Sequence, residues 1–332
     1  MTDYSLDFPF AHGGPLGSAG FRTEPEDFVV DEALGFEPCG DGEHLLLHLR
    51  KRNQNTRWLA QQLADIAGLR PMDVGYCGLK DRRAVTSQWF SLYLPKQELD
   101  MARVHAIEGV DVLASDRHNR KLRRGDHAGN HFEIRLQAIT GDRQQLQQRL
   151  EQIAEQGVPN YFGEQRFGHH GNNLREFEKR FVGQSGDARA NQRRRGRRPG
   201  GDGGIVLSAG RSYLFNRVLA QRVEQGNWYS TLPGEEIPTG AMWGRGRSSA
   251  PEAVRQLEQM VVQALPGWCD ALEHSGLGQE RRPLQLLPDR FEWRFDGEDL
   301  LLQFSLPPGA YATAVIRELT TVSTDRDRAV EP

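Results

Sequence analysis

Gly78-Leu-Lys-Asp-Arg-Arg-Ala-Val-Thr-Ser-Gln88 is the stretch on which the reading of this chain turns. Asp81 stands among Lys80, Arg82 and Arg83, and neighbouring cations favour the ionised form of a carboxyl group. A carboxylate held that way is available as a nucleophile. The same residues equally fit a solvated turn with a surface ion pair worth about 0–1 kcal/mol. Gly75 and Gly78 permit a backbone geometry or close approach that bulkier residues forbid. Thr86 and Gln88 offer hydrogen bonds to a polar ligand. On the N-terminal side, NTRWLAQQLADIAG (55–68) reads as a helix. Asn55 or Thr56 caps it, Leu59, Leu63 and Ile66 share a face, and Gly68 ends it. On the C-terminal side, WFSLYLP (89–95) is aromatic and apolar and reads as a strand. The charged segment is therefore expected in a loop between a helix and a strand.

Farther out, Phe28, Val29 and Val30 predict a short strand after a Glu24–Pro25 turn, and HLLLHL (44–49) predicts a buried one. GDRQQLQQRLEQIAEQG (141–157) predicts a helix with Leu146, Leu150 and Ile153 on one stripe. Helical patterns recur at 208–225 and 251–265. FEWRF (291–295), an Asp296-Gly297 turn and LLLQFSL (300–306) make a hairpin, and PPGAYATAVIREL (307–319) turns into a helix. A chain that leaves one domain, builds another and returns would set this hairpin beside the first segment.

Three further segments carry chemistry. Asp126-His-Ala-Gly-Asn130-His-Phe132 follows Arg117, Arg120, Lys121, Arg123 and Arg124. Arginines suit phosphates, Phe132 a nucleobase stack and Asn130 a base edge. A basic strand face, a Gly-Asn turn and a core Phe fit the same pattern. His127 and His131 are not expected to hold a metal, for want of an acidic or thiol third ligand nearby. In Asn160–Gly168, Tyr161, Phe162 and Phe167 interleave with Gln165 and Arg166, which suits RNA stacking and core packing alike. Arg193–Arg198 holds five arginines in six residues and reads as a solvated loop or a non-specific nucleic-acid tail. The GRGR at 244–247 is too short for a phosphate loop.

The 332 residues carry 42 basic and 45 acidic side chains, a net −3 that excludes a histone-like polycation. The length fits about two domains. No apolar run reaches the roughly 18 residues of a membrane span, and no basic n-region or apolar h-region opens the chain. Cys39, Cys77 and Cys269 stand far apart, which suits a reducing compartment and gives no zinc motif. The expectation is a cytoplasmic monomer without membrane contact. No GxxxxGK[ST], no GxGxxG after a strand and no HExxH occurs, so nucleotide-triphosphate, Rossmann and zincin chemistries lack support.

Gly78–Gln88 resembles the catalytic motif of the TruD family of tRNA pseudouridine synthases, G-x-K-D-[RK]-x-A-x-T-x-Q. EPEDFVVDE (24–32), Gly129-Asn130-x-Phe132, VPNYFGEQRFG (158–168) and LPPGAYATAVIREL (306–319) also resemble that family, in family order. The resemblance implies isomerisation of uridine to pseudouridine in tRNA, at position 13, with no metal or cofactor. It implies an α+β fold of the pseudouridine-synthase type: a mixed, largely antiparallel catalytic domain with an inserted family-specific α/β domain. The catalytic domain would comprise 1–155 and 286–332, the inserted TRUD domain 156–285, with RNA in the cleft between. Carried over by position, Asp81 is the catalytic aspartate, and Phe28, Asn130 and Tyr311 contact the target nucleotide. Tyr311 stands where the family has Phe. Phe132 lies against the uracil, Arg22 partners Asp81, and Lys80 is counted with the substrate-binding residues. Two alternatives stay open. One is a non-catalytic RNA-binding protein, which would gain nothing from a carboxylate among phosphates. The other is a glycosidase-type hydrolase pairing Asp81 with Glu32, roughly 5–10 Å apart.

Overall fold

The computed structural model describes residues 4–95, 97–182 and 202–323; the Arg193–Arg198 run lies outside them. The described residues form two units. One comprises Pro15–Leu150, Pro288–Ala312 and the residues from Leu319 onward. The other comprises the residues up to Gly14, Glu151–Leu287 and Thr313–Glu318.

The first unit opens with β1 (Ser18–Phe21), β2 (Phe28–Ala33), β3 (His44–Arg52) and α1 (Thr56–Ala67). Then come β4 (Gly75–Tyr76), β5 (Val85–Tyr93), α2 (Met101–His105), β6 (Val110–His118), β7 (Gly129–Gln137) and α3 (Arg143–Gln156). The expected elements are all present, with two shifts. β5 begins at Val85, so Thr86 and Gln88 are strand residues and not part of the loop. Gly129 and Asn130 open β7 and do not form a turn. Helix α1 is capped by Asn55, whose side chain accepts from the Arg57 amide, and closed by Gly68 in the left-handed conformation. Its buried Leu59 and Leu63 pack with Leu47 and Leu49 of β3, Phe90 and Leu92 of β5, and Val104 of α2.

The second unit contains β8 (Val158–Pro159), α4 (Asn172–Phe181), α5 (Asp202–Glu224), β9 (Thr239–Met242), α6 (Glu252–Val262), α7 (Trp268–Glu273), β10 (Glu280–Pro283) and β11 (Gln285–Leu286). Helix α5 reaches back to Asp202, six residues and two glycines ahead of the helical pattern at 208–225. It packs against α4, α6 and α7, with Tyr213 and Phe177 gathered on Trp268.

The chain then returns to the first unit through β12 (Asp289–Asp296) and β13 (Asp299–Leu306), gives α8 (Ala312–Arg317) largely to the second unit, and ends the first unit's sheet with β14 (Thr321–Ser323). Among the described residues the first unit's sheet has ten strands. Its main order is β12-β13-β7-β2-β5-β3-β6, with β1 beside β7, β14 beside β1 and β4 beside β5. β2–β5 and β1–β14 are parallel and the other pairs antiparallel. The late hairpin thus completes a sheet begun by the first segment, with β13 pairing along β7 from Leu300↔Leu136 to Leu306↔Asn130.

Candidate active site

The loop between β4 and β5 is held from below by its own neighbours. Thr56, first residue of α1, accepts a hydrogen bond from the Lys80 amide at 3.1 Å and donates to Gln88 Oε1 at 2.8 Å. Gln88 in turn donates to the Gly78 carbonyl at 3.3 Å. Gly75 must be glycine, because a Cβ would lie 2.4 Å from the Leu122 carbonyl oxygen; Gly78 meets no such crowding. Lys80 turns inward. Its ammonium pairs with Glu32 Oε2, and the two side chains are 7% and 0% exposed. Glu32 Oε1 accepts from the Trp89 amide at 3.0 Å. Both Glu32 oxygens are engaged out of water, so this residue is unavailable as a second acid in a glycosidase pair. Lys80, expected against the substrate, is placed as a strut between the loop and β2.

Asp81 points the other way. Its carboxylate accepts from Arg22 Nη2 at 3.1 Å, and the side chain is 34% exposed. Arg22 follows β1 with φ of +56°, a left-handed backbone that costs a non-glycine residue about 1–2 kcal/mol. That bend lays its guanidinium over Phe28, 4.0 Å from the ring centre, and beside Phe21 at 4.7 Å. Burial lowers the Arg22 pKa, and the Asp81 charge opposes the shift. The Asp81 carbonyl accepts from Lys51 Nζ at 3.2 Å, and Lys51 also donates to the Gln54 carbonyl at 2.7 Å. Lys51 is fully buried, which pushes its pKa down to about 8, again opposed by Asp81.

Beside this pair lies an aromatic row. Phe21 meets Phe28 edge-on at 5.5 Å, Phe28 meets Phe132 at 6.0 Å, and Phe132 stacks on Phe304 at 5.6 Å. Strand register produces the row: Val30 opposes Phe132, and Phe132 opposes Phe304. The same register sets Glu32 opposite Asn130. Asn130 Nδ2 lies 3.4 Å from His127 Nε2, while its Oδ1 is buried with no partner among the described residues. Tyr311 is half-buried at the entry to α8. The structure thus brings Asp81, Arg22, Phe28 and Phe132 together and diverts Lys80. Sequence reasoning missed Lys51, Thr56 and Phe304 as parts of the site.

The fold also supplies what the sequence around His127 lacked. Ligand atoms of Glu32, Cys77 and His127 lie within 4.8 Å of one another. Yet the Lys80 ammonium already sits on Glu32, and burial pushes the Cys77 thiol up to about 12. A thiol ligates as thiolate, so a divalent ion would have to displace both a proton and Lys80. Most side chains of the other candidate segments are engaged within the protein. Tyr161, Phe162 and Phe167 are buried, and Arg166 donates to Ser208. In the basic stretch, Arg117 donates to the Leu94 and Gln97 carbonyls, Lys121 to Met72 and Arg120 to Asp126. Arg123 and Arg124 are exposed.

Known proteins resemble this chain over nearly its whole length. The family model described as tRNA pseudouridine synthase D (TruD) matches residues 13–184 and 234–319. A tRNA pseudouridine synthase D of Cellvibrio japonicus is 46% identical, covering 99% of this chain and 97% of its own. One from Marinobacter nauticus is 45% identical, over 98% of each chain. The crystal structure of a Methanosarcina mazei protein assigned to the same synthase group superposes with a TM-score of 0.65. It covers 94% of this chain and 95% of that one at 21% identity, a likeness of fold. No helix among the described residues is long and apolar enough to cross a membrane.

Proposed function

The chain belongs to the TruD family of tRNA pseudouridine synthases, and we propose that it works through Asp81 on a uridine flipped out of the tRNA fold, at position 13. The family's activity is its activity: uridine in tRNA is isomerised to pseudouridine. One observation carries the finer reading. Lys80, Thr56 and Gln88 turn inward to hold the loop, while the Asp81 carboxylate, gripped by Arg22, stays 34% exposed to solvent.

A stacked uridine hides its reactive atoms, so it must leave the stack at a cost of about a few kcal/mol. Stacking on aromatic rings returns about 1–3 kcal/mol per base, and the Phe28–Phe132–Phe304 row is the surface suited to that. The unpartnered Asn130 Oδ1 is suited to accept the uracil N3–H. The Asp81 carboxylate attacks C1′ of the ribose or C6 of the base. The C1′–N1 bond breaks, the detached base turns, C5 bonds to C1′, and the bond to Asp81 breaks to return the free carboxylate. The C5 hydrogen leaves as a proton and N1 gains one, so atoms and electrons balance within the nucleoside. Arg22 orients the carboxylate through a charge-assisted bond and is itself fixed by Phe28.

The test uses tRNA transcribed with 5-tritiated uridine. Wild type is expected to release the label and Asp81→Asn to release none while still binding tRNA. Substantial release by Asp81→Asn would overturn the nucleophile assignment. Binding without release by the wild type would favour the RNA-binding alternative.

A further inference from the structure

Gly246 and Arg247 of the GRGR sequence, unexplained by the catalytic reading, line a cavity of about 330 Å³ in the second unit. Its wall includes Trp243, Gly246, Arg247, Arg255, Glu273 and Gln279. The loop that carries it is rigidly built. The Gly244 amide donates to Gln279 Oε1 at 2.7 Å, and the Arg245 amide to the Leu277 carbonyl at 2.7 Å. The Arg245 carbonyl accepts from the Gln279 amide at 2.9 Å. A Cβ at Gly244 would lie 2.4 Å from the Gly278 carbonyl oxygen, and Gly246 has φ of +127°. Two positions therefore exclude side chains so that the backbone can take this path. The side chains it presents, Arg245 and Arg247, are exposed and make no hydrogen bond or ion pair among the described residues. Trp243 is half-buried, and its Nε1–H donates to Glu273 Oε1 at 3.0 Å. With its one polar edge tied, the indole has only its faces left to offer a ligand.

A preorganised loop, a fixed indole and the unpaired Arg247 guanidinium at a cavity of this size suit single-stranded nucleic acid. The volume is at the low end of the roughly 300–1,000 Å³ of small-ligand pockets, which suits one splayed nucleotide and not a duplex. We propose that this cavity takes an unpaired nucleotide of the substrate tRNA, its base on Trp243 and its phosphate at Arg247. The site rests on the reading of tRNA as substrate and is separate from the residues around Asp81. Its role is to recognise the folded RNA, so it acts on affinity and leaves the chemical step to Asp81.

The test compares tRNA binding and tritium release for wild type, Arg247→Glu, Arg247→Lys, Trp243→Leu and Trp243→Phe. Arg247→Glu should raise the Kd and KM for tRNA about tenfold, with kcat at saturating tRNA retained. Its slope of log Kd against log salt should fall by about one, the signature of a lost phosphate contact. Arg247→Lys should keep the slope. Trp243→Leu should weaken binding at least fivefold and Trp243→Phe restore it, as a stacking contact requires. Should Trp243→Leu fail to fold, the exposed Arg247 decides. Arg247→Glu with wild-type Kd and wild-type salt slope overturns the site, as does a fall in kcat with Kd unchanged. A wild type that neither binds tRNA nor releases label overturns the functional reading, and this one with it.

Discussion

Lys51 takes its place from strand alternation. Along β3 Leu47, Leu49 and Lys51 are all fully buried, so the period of two that buries leucines also carries an ammonium inward. That signal is present in HLLLHLRKR, but a lysine at a strand end reads as solvent-facing until the neighbouring strands are known. The reach of a long side chain explains the misplacement of Lys80 too: a loop sequence specifies the residue and not its direction. Asp81, Arg22, Phe28 and Phe132, by contrast, are linked by direct contacts from one to the next. Lys51 makes a measurable difference to pH behaviour. Its folded pKa of about 8 lies below the ordinary 10.5. Between those values the unfolded chain holds the proton and the folded chain does not, so this group's contribution to stability rises with pH through that window. Below about 8 the contribution is at its lowest. The Tm of wild type relative to Lys51→Met should therefore climb between pH 7 and 10. A difference that stays flat would show that Lys51 does not titrate there.

The helix 55–67 and the late hairpin were legible because their periods, caps and Asp-Gly turn are local properties. The start of β5 was not. Thr86, Ser87 and Gln88 are polar, yet all three are buried, with Ser87 donating to Asp31 at 2.5 Å and Gln88 bonded to Thr56. Polar residues in a strand interior are readable only once their partners on other elements are known. The Lys80–Glu32 pair is the strut joining that loop to β2. Removing one member strands the other: Glu32→Gln should destabilise the fold by about 3–5 kcal/mol. Replacing both, as Glu32→Leu with Lys80→Met, should recover most of that stability, since apolar pairs of similar volume often substitute for buried ions. Turnover should not recover, because the peptide next to Asp81 has lost its anchor. Denaturant melts and tritium release, measured on the same variants, separate the two effects; a fully active double variant would make the pair purely structural.

At the scale of the whole chain, the sequence pattern led to an excursion and a return, and the pairing of β13 with β7 is that return. Less legible was the share of the N-terminus in the second unit. The Glu318 carboxylate accepts from the Ala11 and His12 amides at 3.1 and 3.2 Å, and Arg317 lies over Phe10 at 4.3 Å. Contacts between residues some three hundred positions apart leave no periodic trace. They predict that a chain ending at Leu287 will not melt cooperatively by circular dichroism, although most of its helices remain encoded. A sharp transition in that fragment would mean that the C-terminal segments only decorate a self-sufficient core. The interleaving also bears on biosynthesis. A ribosome delivers residues in order, and neither unit holds all its described pieces until the residues beyond Ala312 have been made. Early strands must wait with an open edge beside β7, the condition that invites mispairing and capture by chaperones. Slowing translation late in the gene should then prolong exposure, and slowing it early should matter little.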